Sequence, residues 1–204
     1  MDFRAGSSPV TRTRKKQGIH GMPFIITVMW KEFFGHLHTV NTHRRVVRHY
    51  CFKLGLYRQG LLHDLSKYSP DEFLHGVKYY QGFRSPHERE REIIGYSTAW
   101  MHHKGRNKHH FEYWYDVNPK SRKYEPVEMP VRYLKEMFCD RVAASKIYQK
   151  EKYTDASAWE YYSTRGTRDK LHPKTADLLE EWLKMLAEKG EEETFAYIRK
   201  NYKN

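Results

Sequence analysis

Apolar residues recur at helical spacing along most of this chain, starting at about Ile26. The periodicity predicts a long first helix over 26–54, and Gly55 and Gly60 bracket a predicted break. A second helix is predicted to carry the string LLHDLSK. Further helices are predicted over 69–80, 85–103, 130–149, 173–189 and 191–202.

The predicted helices also carry recognisable start and stop signals. Ser69-Pro70-Asp71-Glu72 and Ser85-Pro86-His87-Glu88 have the form of capping boxes with proline at the first helical position. Gly190 is predicted to hinge a C-terminal helical hairpin. No alternating strand pattern of useful length and no internal repeat occurs. The sequence therefore predicts a single all-α domain of about seven helices over residues 22–204.

Composition places limits on the class of protein. Residues 1–21 have no periodicity and are rich in Gly, Ser, Thr and basic residues, so we expect a disordered basic extension, with Met22 as an alternative start. No apolar stretch approaches the roughly 20 residues that a membrane span requires, so no membrane partner is expected. The two cysteines, Cys51 and Cys139, fit buried thiols in a reducing compartment, which favours a cytoplasmic location.

The chain is strongly basic, with a formal net charge of +12. A positive field attracts phosphate groups, whether on a small molecule, a nucleotide or a nucleic acid. The alternative is a generally basic, well-solvated surface. No basic motif typical of a nucleic-acid-binding module occurs, so charge alone does not choose a polymer over a small phosphate ester.

His43 lies on the apolar face of the first predicted helix, together with Val40, Val47 and Tyr50. A buried imidazole must find a partner or bear a desolvation cost of a few kcal/mol. His43 is therefore either a hydrogen-bonded core histidine or a metal ligand. His36, two turns earlier on the same stripe, is a weaker ligand candidate.

His63 and Asp64 follow an apolar run, and an adjacent imidazole and carboxylate can grip one metal ion. Asp64 is also a candidate acceptor for the proton of an attacking water. Lys67 lies one turn further on and is a candidate phosphate contact or a restraint on Asp64. The alternative for Lys67 is a solvated helix charge.

Four histidines fall within nine residues, and neutral imidazole suits transition metals. Adjacent side chains of a regular helix cannot both face inward, so one of each pair is expected to bind. His103 and His109 are the favoured ligands. Their neighbours His102 and His110 are weaker ligand candidates. Arg106 and Asn107, in the same segment, are candidate substrate contacts. The alternative is an exposed basic loop.

Asp140 lies on a predicted helix, with Met137 and two alanines one turn away, and such a carboxylate is expected to face inward and to need a cation. The alternative is a salt bridge to Arg141 or Lys135. Glu136, one turn earlier, is a candidate general base or a support for the ligands.

The order of His43, His63-Asp64, Lys67 and Asp140 on helices resembles the HD-domain superfamily of metal-dependent phosphohydrolases. The string HDLSK is similar to that family's HD-x-x-K, and the intervening histidines resemble its dinuclear branch. The strings HDLSKYSPDEF, HHKGRNKHHFEYW and EMFCD also resemble a bacterial and phage family without an assigned function, over about residues 30–200.

This resemblance implies an HD-like helical fold and one or two bound divalent ions of Mn, Fe, Co, Ni or Zn, with Mg as a further candidate. The expected function is hydrolysis of a nucleotide or another phosphate ester by a metal-activated water. Three alternatives stay open: a single-strand nuclease, a di-iron oxygenase, and a non-catalytic interaction module stabilised by a metal. Oligomeric state is not predicted.

Overall fold

The computed structural model describes residues 22–203, and the predicted N-terminal extension over residues 1–21 lies outside that range. The described part is helical apart from one small strand pair, which confirms the all-α prediction. Its eight α-helices are α1 (Met22–Lys53), α2 (Tyr57–Leu62), α3 (Pro70–Lys78), α4 (Pro86–Ile94), α5 (Thr98–Arg106), α6 (Val131–Gln149), α7 (Ser157–Thr164) and α8 (Pro173–Asn201). No helix within residues 22–203 is long and apolar enough to cross a lipid bilayer.

The core forms where α1, α6 and α8 bring their apolar faces together. Removing such side chains from water contributes roughly 25 cal/mol per Å² of apolar surface. On α1, the core residues Val47, Tyr50 and Cys51 lie one or two turns beyond His43, so His43 lies just before the part of α1 that packs in this core. The large buried apolar side chains supplied by the other two helices include Leu134, Met137, Phe138, Leu179, Trp182, Leu183, Leu186, Phe195 and Ile198.

The link between α2 and α3 differs from the prediction. The helix predicted through LLHDLSK is wrong, because α2 ends at Leu62 and Asp64 adopts a left-handed conformation with φ 54° and ψ 28°. A right-handed helix cannot continue through that backbone, and a short 3-10 turn over Leu65–Tyr68 follows. Aspartate tolerates the left-handed region better than most residues.

Arg44 holds this link against α1. Its Nε donates to the carbonyl of His63 at 2.8 Å, and its Nη2 donates to the carbonyl of Leu61 at 3.0 Å. The last carbonyls of a helix lack intrahelical donors, so the guanidinium satisfies groups that α2 leaves open. The residue next to His43 therefore fixes the backbone that carries His63 and Asp64.

Several predicted helix boundaries and caps also differ from the structure. The helix expected over 85–103 is two helices, because Gly95 adopts φ 87° and ends α4, and the side chain of Ser97 then caps α5 by accepting the N–H of Trp100. The expected capping boxes do not form, since neither Ser69 nor Ser85 makes a side-chain cap bond. Gly60, expected to mark the end of the break that begins at Gly55, lies buried inside α2.

The short elements gave no usable sequence signal. Two three-residue strands, β1 (Tyr115–Val117) and β2 (Tyr124–Pro126), pair antiparallel, with Tyr115 opposite Pro126. Three residues are too few to show alternation, and the eight residues of α7 make little more than two turns. Both elements were therefore missed by periodicity.

The chain reverses direction inside α8. Gly190 has φ 77° and ψ 176°, a conformation that is essentially restricted to glycine. The hydroxyl of Tyr197 donates to Glu181 at 2.8 Å, and the rings of Trp182 and Tyr202 lie 5.1 Å apart. In a straight helix, residues 181 and 197 would be roughly 24 Å apart. The two segments therefore pack against each other as a hairpin.

We expect Gly190→Ala to lower the free energy of unfolding by about 1–3 kcal/mol, because a Cβ is strained at this φ and would lie 3.2 Å from Asp155 Oδ2. Gly105→Ala in α5 is the matched control, since nothing lies within 4 Å of its Cβ. This control should be neutral or stabilising by up to about 1 kcal/mol. Denaturant titration measures the free energy of unfolding of both variants. Equal effects of the two substitutions would contradict the requirement for glycine at position 190.

Candidate metal centre

Asp64 lies at the middle of the candidate site, with only 1% of its side chain exposed. Its two carboxylate oxygens face different groups of side chains. Oδ2 faces residues of α1 and the link after α2, whereas Oδ1 faces α5 and the turn that follows it. The left-handed backbone of Asp64 directs the carboxylate into this position.

The first group, called site A, consists of His43, His63, Asp64 and Asp140. The Nε2 atoms of His43 and His63 lie 3.6 and 3.4 Å from that oxygen and 3.4 Å from each other. Asp140 Oδ1 lies 2.9 Å from His43 Nε2 and 3.7 Å from His63 Nε2. Two imidazoles and two carboxylates therefore converge here.

The second group, called site B, contains the side chains that Asp64 Oδ1 faces. The Nε2 atoms of His103 and His109 lie 3.3 and 3.4 Å from that oxygen. His110 completes the group, and all four ligand atoms lie within 4.8 Å of one another. Site B therefore offers three imidazoles and one carboxylate oxygen.

The spacing of these atoms is what a metal shell requires. Metal–ligand bonds of about 2.0–2.2 Å place donor atoms roughly 3.0 Å apart in an octahedral shell and roughly 3.4 Å apart in a tetrahedral one. In site B, Asp64 Oδ1 and the Nε2 atoms of His103, His109 and His110 are buried and have no hydrogen-bond partner. A cation would satisfy all four atoms at once, so the residues fit a metal ion.

The buried negative charge around the two sites also fits the binding of cations. Asp64, Glu72 and Glu136 are at most 5% exposed, and Lys67 is the ammonium group beside them, with its Nζ 3.3 Å from Asp64 Oδ2. Buried carboxylates need compensating positive charge. Two divalent ions, or protons on the surrounding imidazoles, would supply it.

The surroundings of the two sites lower the pKa of two histidines and raise the pKa of two others. Burial lowers the pKa of His43, and it lowers the pKa of His110 well below its usual value. Burial acts in the same direction on His63 and His103, but the nearby carboxylate of Asp64 outweighs it and raises both pKa values. Without a cation, the raised pair would therefore hold protons that partly balance Asp64.

The two aspartates remain ionised. Burial alone would raise the pKa of Asp64, but His63 and Lys67 outweigh it and hold this pKa well below the usual range. The hydrogen bond from His43, together with the more distant His63, outweighs burial at Asp140 and holds its pKa well below the usual range. Both groups are therefore available as anionic ligands.

Glu136 lies behind the rings. Its Oε1 is 2.9 Å from His63 Nδ1 and 3.2 Å from His109 Nδ1, and its Oε2 accepts from Gln59 at 3.0 Å. Burial would raise the pKa of Glu136, but the hydrogen bonds from His109 and His63 outweigh it and lower the pKa to about 2. The imidazole rings separate this carboxylate from both sites, so the geometry favours a supporting role over that of a general base.

The two histidine pairs differ because their backbones differ. His102 and His103 lie on α5, so only His103 faces site B, and His102 pairs instead with Glu72 at 2.7 Å. His109 and His110 lie in an irregular turn, where adjacent side chains can point the same way. One histidine of the pair on α5 and both histidines of the turn therefore face site B, and which of them bind a metal stays a prediction.

Three other candidates lie outside both sites. His36 packs between α1 and α3 against the ring of Phe73, and burial together with Lys67 lowers its pKa to about 4. Arg106 is exposed and its Nη1 reaches only the carbonyl of His102. Asn107 donates to Ser66 Oγ and to the carbonyl of His103, so it holds the turn in place.

Glu72 was missed as part of this site by sequence reasoning. Its Oε1 lies 2.7 Å from His102 Nδ1 and its Oε2 lies 2.7 Å from His103 Nδ1. An acidic residue in the first turn of a helix is typical of an exposed N-terminus. The sequence therefore held no signal that this carboxylate is buried behind two imidazoles.

A family model with the description "Family of unknown function (DUF5662)" matches residues 32–185, so the chain belongs to this family. The matched range includes every residue of sites A and B. No curated protein and no solved structure matches the sequence. Neither finding assigns an activity, so the likeness to HD-domain phosphohydrolases stays a prediction.

We expect the protein, purified without a polyhistidine tag, to bind two divalent ions per chain, and Asp64→Asn to abolish binding at both sites. Asparagine tolerates the left-handed backbone, so the fold should survive the change. Asp71→Asn is the matched control, because the Asp71 side chain is 73% exposed. Elemental analysis measures the stoichiometry. Full loading of Asp64→Asn would contradict a shared ligand.

Metal affinity should rise as the pH increases through the neutral range. The raised pKa values of His63 and His103 mean that both rings hold protons in the metal-free protein below those values, and an ion must displace them. Calorimetric titration in buffers of different ionisation enthalpy counts the released protons. A pH-independent affinity without proton release would contradict this assignment.

Proposed function

We propose that the protein is a metal-dependent phosphohydrolase of the HD type that acts on a nucleotide or another phosphate ester. The observation that carries the proposal is the sharing of Asp64, whose two oxygens face two four-residue donor sets. Two ions held in this way are typical of phosphatases and nucleases, where they bind phosphoryl oxygens and lower the pKa of a water.

Exposure indicates where a substrate would approach. In site B, His103 and His109 are at most 2% exposed and His110 is half-buried. In site A, His63 is fully buried, whereas His43 and Asp140 are 12% and 18% exposed. Lys67 lies on the same side and is 24% exposed. The open side of the centre is therefore the side of site A.

Lys67 is the residue best placed to contact a phosphate. The neighbouring carboxylate of Asp64 outweighs the effect of burial and raises the Lys67 pKa, so the amine is positively charged at neutral pH. A charged ammonium beside Asp64, on the side of site A, can bind a phosphoryl oxygen. The basic character of the whole chain, with a net charge of +12, would draw anionic substrates toward it.

The proton acceptor expected from sequence is less well supported. Both oxygens of Asp64 face donor sets, and Glu136 already accepts from His63 and Gln59. Asp140 is more exposed than either of these carboxylates. It is therefore better placed to pass a proton between the centre and solvent.

Turnover of phosphate esters tests the proposal. Protein loaded with Mn, Co, Ni or Mg should hydrolyse members of a panel of phosphomonoesters and nucleotides. We expect Lys67→Met to lower kcat/KM by roughly 10²-fold with metal content unchanged, because one charged contact to the transition state is lost. Lys78→Met is the matched control, since Lys78 is exposed on α3 and should leave turnover unchanged.

Other outcomes of the same assay separate the alternatives. Cleavage of single-stranded DNA or RNA without hydrolysis of small esters would assign a nuclease. Oxygen consumption by the iron-loaded protein would assign an oxygenase. Two bound ions without turnover of any substrate would defeat the hydrolase proposal and leave a metal-stabilised module.

A further inference from the structure

One carboxylate oxygen contacts a ligand of each site. Glu136 Oε1 lies 2.9 Å from Nδ1 of His63, which belongs to site A, and 3.2 Å from Nδ1 of His109, which belongs to site B. Glu136 is on α6, one turn before Asp140, and is 5% exposed. Its second oxygen is held by Gln59.

The chemistry of this contact fixes the tautomer of both rings. A carboxylate can only accept hydrogen bonds, so each Nδ1 that it contacts must carry a hydrogen. The Nε2 lone pair of each ring is then left for a metal ion. Carboxylates that accept from ligating histidines in this way orient the rings and increase their basicity.

Glu72 provides a natural comparison within the same protein. It makes the same type of contact, at 2.7 Å, with Nδ1 of His103 in site B and with Nδ1 of His102, which lies outside both sites. Glu72 therefore supports one site, whereas Glu136 supports two.

We propose that Glu136 is a positioning residue shared by both metal sites, so that its loss weakens both, whereas loss of Glu72 weakens site B alone. This inference rests on the proposed metal centre but not on any particular substrate. Glu136 also lies on the far side of the rings from the ions. It therefore acts through His63 and His109 and does not touch the reacting atoms.

Cobalt binding to the full chain tests the inference directly. Co²⁺ is titrated in competition with a chromophoric chelator, and the visible absorption of the bound ions follows each site. Asp140→Ala assigns the signal of site A, and His110→Ala assigns the signal of site B. Circular dichroism and the thermal midpoint in excess chelator show whether each variant is folded.

We expect Glu136→Ala to lower the Co²⁺ affinity of both sites by about 10- to 100-fold, and Glu72→Ala to lower only that of site B by a similar factor. Glu136→Gln keeps an acceptor oxygen without the charge, so a smaller loss at both sites is expected. If Glu136→Ala does not fold, Glu136→Gln decides the question.

Three outcomes would overturn the inference. Loss of affinity at one site only in the Glu136 variants would show that the carboxylate is not shared. Equal losses at both sites in Glu72→Ala would show that any buried glutamate has this effect. Binding of fewer than two ions by the unmodified protein would defeat the metal centre together with the inference, whereas the first two outcomes leave that centre intact.

Discussion

The arrangement of this protein depends on one buried carboxylate that two groups of imidazoles share. Asp64 has almost no contact with water, and its oxygens lie 3.3–3.6 Å from nitrogen atoms on both sides. Such distances are too long for good hydrogen bonds but suit donors around a cation. The charge of Asp64 therefore needs compensation at the point where side chains of α1, α5 and α6 meet.

The fold supports this junction from two directions. On one side, α1 and α6 pack through a continuous apolar core, and His43 and Asp140 lie at the edge of that core. On the other side, the link after α2 is held by Arg44, which binds the carbonyls of Leu61 and His63. Behind the rings, buried glutamates accept from the nitrogen atoms that face away from sites A and B. The supports of the site are therefore side chains of packed helices.

Sequence periodicity located the long elements well and the short ones poorly. The predicted helices over 26–54 and 130–149 correspond closely to α1 and α6, because long amphipathic segments repeat their signal many times. The prediction of a helix through Asp64 was wrong because a single left-handed residue ends a helix without changing the apolar pattern. Gly95 divided a predicted helix in the same way.

The sequence by itself determined the helical class and the kinds of side chain available to the site, because both follow from local spacing and residue type. It also singled out His43, His63-Asp64 and Asp140 as a set. Only the tertiary structure decided that His110 faces inward while His102 does not, and that Asp64 is shared. Those outcomes depend on backbone direction at single residues and on contacts between distant segments, which no local pattern encodes.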